Sequence, residues 1–143
     1  MRRVRGRGIL LVFVILFVVL CFAAYTKQGM MTMVKFFEDP LTSYAETTLS
    51  EGGNADYLGR KYVGFGYYMD VCPSSGCLFF VHHSFGETGF FYSSSGEPVG
   101  YQGTDAIFKK QGDGWFWQEE HGKGNWMYAE HIVGNWYWYE AHL

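Results

Sequence analysis

The sequence predicts a mainly β protein, a small antiparallel up-and-down sheet or barrel of seven to eight strands. Aromatic residues make up 20% of the 143-residue chain, which holds 19 glycines against 3 prolines. That composition favours strands joined by glycine turns over long helices. Turn sequences recur about every 8–12 residues in the second half of the chain, a spacing typical of a meander. We therefore expect one β domain over residues 59–143.

A basic, apolar leader opens the chain. Four arginines precede a run without charge or proline from Ile9 to Ala24. This is the layout of a signal peptide or a membrane anchor, and the length of the run lies between those of the two. We expect residues 1–25 to be an anchor helix that contacts the membrane through residues 9–25; the alternative is a signal removed on secretion or export to the periplasm. The arginines predict that the chain after Lys27 lies outside the cytoplasm.

Residues 26–58 are predicted to link the leader to the β domain and to contain one short juxtamembrane helix. Asp39 and Pro40 are typical of an N-cap and a first helical residue. Gly52 and Gly53 are typical of a helix end, so we expect the helix over about residues 40–50. An apolar patch at residues 30–37 is either a second helix at the membrane interface or a segment packed on the domain.

Apolar residues alternate with other residues from Lys61 to Val71, which predicts one half-buried strand. Cys72 and Cys77 then bracket a Pro-Ser-Ser-Gly turn, and residues 78–83 follow as the next strand. Outside the cytoplasm the two cysteines meet an oxidising compartment, so we expect a disulfide between them. A redox pair or half of a metal site is the alternative.

A motif of Gly or Asn, then Trp, aromatic residues, an acid and a histidine occurs three times, starting at Gly114, Asn125 and Asn135. Copies this close in sequence predict three consecutive strands. The Gly134-Asn135 turn should set Val133 opposite Trp136 and His131 opposite Trp138. A loop at residues 122–124 would set Glu119 opposite Met127. One face of the sheet would then carry Trp115, Trp117, Glu119, His121, Met127, His131, Trp136, Trp138, Glu140 and His142.

Two kinds of site follow from this arrangement. The first is an aromatic surface for a sugar ring or a protein partner, formed by Trp115, Trp117, Trp136, Trp138, Tyr137 and Tyr139; the alternative is aromatic packing in a core. Since both faces are aromatic, we expect the second face to be covered by a helix, another chain or a ligand. The second kind is a metal site, formed by Glu119, His121, Glu140 and His142.

Charge and motifs narrow the class of function. The leader aside, the chain holds 7 basic and 14 acidic residues, a net charge of −7. Nucleic acid is excluded as a partner because its phosphates need clustered Lys and Arg. No phosphate loop, nucleophile elbow or triad pattern is present, and no cofactor is implied. We expect a non-catalytic protein-binding module, such as an inhibitor, an immunity factor or an envelope-complex subunit, whose partner is another protein or a second copy of the chain. A glycan-binding module and a metal-dependent protein are the alternatives.

Overall fold

One antiparallel sheet forms the framework of the computed structural model, which describes residue 15 and residues 25–82, 87–120 and 124–143. Two helices, α1 (Lys27–Phe36) and α2 (Glu38–Gly52), precede the sheet. The strands are β1 (Arg60–Gly64), β2 (Tyr67–Cys72), β3 (Cys77–His82), β4 (Glu87–Ser93), β5 (Lys109–Gln111), β6 (Gly114–Gln118), β7 (Trp126–Val133) and β8 (Trp136–His142). The predicted antiparallel β fold is confirmed, with eight strands in the described part of the chain.

The sheet consists of two four-stranded meanders joined where β4 pairs with β8. The strand order is β1-β2-β3-β4-β8-β7-β6-β5. Within the described ranges β1 and β5 are free edges, so the sheet is open and the barrel alternative is wrong. Both edges resist pairing with another strand, because β1 carries Lys61 and a bulge at Val63, while β5 is only 3 residues long and carries Lys109 and Lys110.

Each face of the sheet has its own core. On one face α1 and α2 pack against the sheet, burying among others Met30, Val34, Phe80, Phe90 and Trp136. The rings of Phe79, Phe91 and Tyr137 stack on the other face, which the connection between β4 and β5 covers with Val99, Tyr101 and Phe108. The expectation that aromatic residues lie on both faces, with one face covered by a helix, is confirmed.

The helices begin and end for local reasons. Thr26 caps α1, since its side chain accepts a hydrogen bond of 3.1 Å from the Gly29 amide. Helix α2 contains the predicted segment at residues 40–50 and begins earlier than expected, so Asp39 lies in its first turn and is not its N-cap. It ends at Gly53, whose φ of 62° suits glycine. The apolar patch at residues 30–37 packs on the domain through α1, with Met30 and Val34 buried.

Lys27 fastens the start of α1 to the sheet. Its Nζ lies 2.5 Å from Glu130 Oε2 on β7 and 4.5 Å from the centre of the Trp138 ring on β8. A cation placed over an indole and beside a carboxylate is attracted by both. The first turn of α1 therefore has a fixed position relative to β7 and β8.

The predicted leader lies outside the described residues, apart from Ile15 and Tyr25. No described helix is both long and apolar enough to cross a bilayer.

The single strand predicted from Lys61 to Val71 is wrong, since this segment is a hairpin of β1 and β2. Gly64 pairs with Tyr67, so Phe65 and Gly66 form a two-residue turn with φ values of 51° and 77°. Turns of this kind need positive φ at both positions, and Asn-Gly satisfies that need best. Phe65 is a bulky residue in the left-handed region, a conformation that costs about 1–2 kcal/mol. The period-two pattern concealed the turn because it continues unbroken through a tight hairpin.

The predicted disulfide is absent, because Cys72 and Cys77 are free thiols. They face each other across β2 and β3, and both are fully buried. A hydrogen bond with Cys72, together with burial, holds the pKa of the Cys77 thiol well above its usual value. The prediction followed from the expected compartment alone, whereas the structure holds both residues as buried free thiols.

Candidate functional site

The predicted tryptophan face is divided between the two sides of the sheet. Val133 pairs with Trp136 as predicted, but a bulge follows, and His131 pairs with Tyr137 instead of Trp138. A shift of one residue moves every side chain of a strand to the opposite face. Trp136 and Trp138 therefore lie in the core under the helices, whereas Trp115 and Trp117 lie on the other face with Tyr137 and Tyr139.

Most of the predicted aromatic surface is interior. Trp136, Trp138, Tyr137 and Tyr139 are buried in the two cores. Trp115 is partly buried, packs edge to face on Tyr137, and is covered by Lys110, whose Nζ lies 3.8 Å from the ring centre. Trp117 is also partly buried and lines an open cleft. Of the six predicted residues, Trp117 is the one that the structure places on a concave surface.

Of the four residues of the metal hypothesis, the structure describes three, Glu119, Glu140 and His142, and these do not converge. Glu119 follows β6 and lines the cleft beside Trp117. Glu140 and His142 alternate with Tyr139 and Ala141, which belong to the core on the cleft side, so they point to the other side of β8. His121 lies outside the described residues. Within the described ranges, no group of three or more His, Cys, Asp or Glu side chains is arranged to hold a metal ion.

The cleft has a volume of about 800 Å³ and lies where the β4–β5 connection meets the ends of several strands. A short 3-10 helix at Tyr101–Gly103 forms part of its wall. Aromatic, acidic, amide and hydroxyl side chains line it together, with one arginine. They are Tyr57, Arg60, Glu87, Tyr101, Gln102, Thr104, Trp117, Glu119, Asn125 and Leu143.

Asp70 lies beneath the cleft and organises its polar groups. Its side chain is fully buried on β2. Arg60 of the adjacent β1 donates from Nη2 to Asp70 Oδ2 at 2.7 Å and from Nε to Oδ1 at 3.0 Å. Tyr57 donates to Oδ1 at 2.9 Å, and Tyr101 donates to Oδ2 at 3.0 Å. The Gln102 amide also donates to Oδ2, at 3.3 Å. Four side chains of the cleft are thereby held in place by one carboxylate.

The electrostatics of this cluster follow from the same contacts. Burial alone would raise the pKa of Asp70, but the hydrogen bonds from Arg60, Tyr57 and Gln102 outweigh it and lower the pKa. Burial, with the nearby Asp70 charge, raises the pKa of Tyr101 far above that of a free phenol. At neutral pH the cluster thus contains an ion pair between Arg60 and Asp70 and protonated tyrosines.

Backbone strain accompanies this network. Gln102 has a φ of 53°, which is unusual for a residue other than glycine. The conformation places its side-chain amide beside Asp70. Strained residues of this kind persist only where the surrounding structure fixes them, and they cluster at functional sites.

Two buried polar atoms beside the cleft have no hydrogen-bond partner among the described residues. One is Oε2 of Glu87, which lines the cleft, and the other is the hydroxyl of Tyr139. Tyr139 is fully buried, and its pKa is raised first by burial and then by Tyr101 and Glu87, which places it close to the wall of the cleft. Unpaired buried polar groups are rare in proteins, so these two atoms mark a place that a polar ligand or water would complete.

The sequence prediction missed Arg60, Glu87, Tyr101 and Gln102, which lie far apart in the chain and come together through the fold. One signal was available, namely Asp70 in the aromatic and apolar segment Tyr67–Cys72. A carboxylate in a buried strand needs a charged or hydrogen-bonding partner.

No family model, curated protein or solved structure matches this chain.

Proposed function

We propose that this chain is a non-catalytic binding module, tethered outside the cytoplasm by residues 9–25, and that its cleft binds a saccharide. The observation that carries the proposal is the combination of Trp117, planar polar side chains and the unpaired buried Oε2 of Glu87 in one cleft. This favours the glycan hypothesis over the protein-binding hypothesis that the sequence alone placed first.

The shape and chemistry of a sugar match this lining. A pyranose presents C–H groups on its faces, which pack on an indole such as that of Trp117. Its hydroxyls occur in adjacent pairs around the ring edge, and carboxylates and amides bind such pairs with two atoms each. Glu87, Gln102, Glu119 and Asn125 supply groups of this kind.

Charge argues against an anionic ligand. Asp70 neutralises Arg60 through a close ion pair, so the guanidinium offers little net attraction. Glu87 and Glu119 leave the cleft with excess negative charge. A phosphate or a carboxylate would be repelled, whereas the many hydroxyl donors of a neutral sugar suit two carboxylates.

The proposal predicts that Trp117→Ala weakens saccharide binding by about 1.4 kcal/mol or more, which is tenfold or more in Kd. The full chain in detergent micelles would be titrated calorimetrically with soluble oligosaccharides and cell-wall fragments. Trp126→Ala is the matched control, because Trp126 is also partly buried but stacks on Phe116 away from the lining of the cleft. An unmodified chain that binds none of these saccharides would contradict the proposal, as would equal losses in the two variants.

A protein partner is the second candidate. Exposed apolar side chains line the cleft or the pocket next to it, namely Leu143 and Ile107. Apolar side chains of this kind form the buried core of many protein interfaces. Cross-linking of the full chain in intact cells should then give an adduct that Ile107→Asp removes, while Tyr44→Asp on α2 leaves it unchanged. Recovery of the chain alone would rule this candidate out.

A further inference from the structure

The tip of the β1–β2 hairpin presents an apolar side chain that contributes little to the fold. Phe65 is 83% exposed, and its φ of 51° is strained. Tyr62 and Val63 beside it are exposed as well. An asparagine would occupy the same turn without strain and would be more soluble. A phenylalanine at this position therefore lowers the stability of the isolated domain and exposes apolar surface to water.

The tip lies beside the point where the described domain begins. Gly66 is packed so closely on the His82 ring that a Cβ at residue 66 would lie 2.9 Å from Nε2. The ring of Tyr25 packs on the same histidine, with centres 4.8 Å apart, and Tyr67 packs on it at 5.1 Å. His82 thus joins the hairpin tip to Tyr25.

Tyr25 directly follows the apolar run of residues 9–24. If that run is the anchor, its outer end and Tyr25 lie at the surface of the bilayer, where tyrosine is a preferred residue. The hairpin tip, held against Tyr25 through His82, then lies at the same level. Its exposed aromatic side chains are of the type that enters the layer between headgroups and acyl chains.

We propose that Phe65, with Tyr62 and Val63, inserts into the lipid interface and forms a second membrane contact beside the anchor. This inference rests on the proposed tether. One contact would leave the domain free to rotate about residues 25–26, whereas two contacts fix its orientation. Lys61 on the same strand is exposed, and anionic lipid headgroups would attract its charge.

The test places the photoreactive residue p-benzoylphenylalanine at position 65 or at position 36 of the full chain. The protein is reconstituted into vesicles of phosphatidylethanolamine and phosphatidylglycerol. Phe36 is the matched control because it is 82% exposed and lies at the far end of α1, about 14 Å along the helix axis from Lys27. Illumination should attach lipid at position 65 and leave position 36 at background.

The outcomes distinguish a wrong tether at residues 9–25 from a wrong membrane contact at Phe65. If the chain fails to float with the vesicles, the tether is wrong and the inference falls with it. If the chain floats but position 65 attaches no more lipid than position 36, the inference alone is overturned. An adduct between position 65 and a second protein chain in place of lipid would also overturn it, and would identify the tip as a protein contact.

Discussion

Replacing Asp70 by asparagine is expected to lower the free energy of unfolding by about 3 kcal/mol. The carboxylate is fully buried and accepts hydrogen bonds from Arg60, Tyr57, Tyr101 and Gln102. An amide of the same shape leaves the Arg60 charge without its partner and sets an NH₂ group against other donors. We expect a loss near the lower end of the range that is typical for a broken buried ion pair, because the Arg60 side chain is 30% exposed and water partly screens its charge.

Chemical denaturation of the full chain in micelles measures this effect. Asp113→Asn is the control, since Asp113 is an exposed residue in the turn between β5 and β6 and should change stability by less than about 0.5 kcal/mol. A loss of similar size in both variants would contradict the role given to Asp70.

The same substitution should change the response to acid. The pKa of Asp70 is lower in the folded state than in the unfolded state. Its contribution is therefore complete above the unfolded pKa of about 4 and is lost as the pH falls through the folded pKa. The unfolding free energy of the unmodified chain should decline more steeply below pH 4 than that of Asp70→Asn.

Trp136→Ala is expected to lower the free energy of unfolding by about 3–5 kcal/mol. Trp136 is fully buried and packs on Phe80, Phe90 and Tyr92. Its Nε1 donates to Thr42 Oγ1 of α2 at 2.9 Å, which joins the helix layer to the sheet. Alanine would leave a cavity at this junction. The free energy of unfolding of a small domain is only about 5–15 kcal/mol in total, so the variant loses a large share of its stability.

Two further variants separate the sources of that loss. Thr42→Val removes the hydrogen bond and keeps the volume, so it should cost about 1 kcal/mol or slightly more. Trp126→Ala removes a partly buried indole near the start of β7 and should cost less than Trp136→Ala. Equal losses for Trp126 and Trp136 would mean that Trp136 does not occupy the core between the helices and the sheet.

The sequence predicted the features that depend on local backbone chemistry. Gly134-Asn135 sets Val133 opposite Trp136 because the two-residue turn closes only in that register. Gly53 ends α2 for a similar reason, since glycine accepts positive φ without strain. The alternation of side chains within β6, and within β7 as far as His131, was also correct, because the period of a regular strand is two residues.

The features that depend on tertiary packing could not be predicted in this way. A single bulged residue between His131 and Val133 moved Trp138 from the predicted face into the core under α1 and α2. Pairing of β6 with β7 differs from the prediction by two residues, with Trp117 opposite Met127, because the connection between them is longer than three residues. An even shift keeps Trp117 and Met127 on their predicted faces, which is why Trp117 still reached the cleft.

The candidate site could not be predicted from the sequence for the same reason. Arg60 meets Asp70 only because the chain reverses at Phe65 and Gly66, a turn that the alternating pattern concealed. Tyr101 and Gln102 reach Asp70 through the long connection from β4 to β5, which has no periodic pattern to place it. Glu87 is placed by the pairing of β4 with β8, in which it lies opposite Ala141.

The protected edges of the sheet affect how closely copies of the protein can be packed on a surface without pairing edge to edge. A tethered domain is confined to two dimensions, where copies collide more often and in fewer orientations than in solution. An open sheet with unprotected edges would extend under those conditions from one copy to the next. Lys61 and the bulge of β1, and the two lysines and shortness of β5, oppose such growth. If residues 9–25 tether the chain as proposed, copies can therefore stand at high density on a membrane as separate molecules, each with its own cleft free.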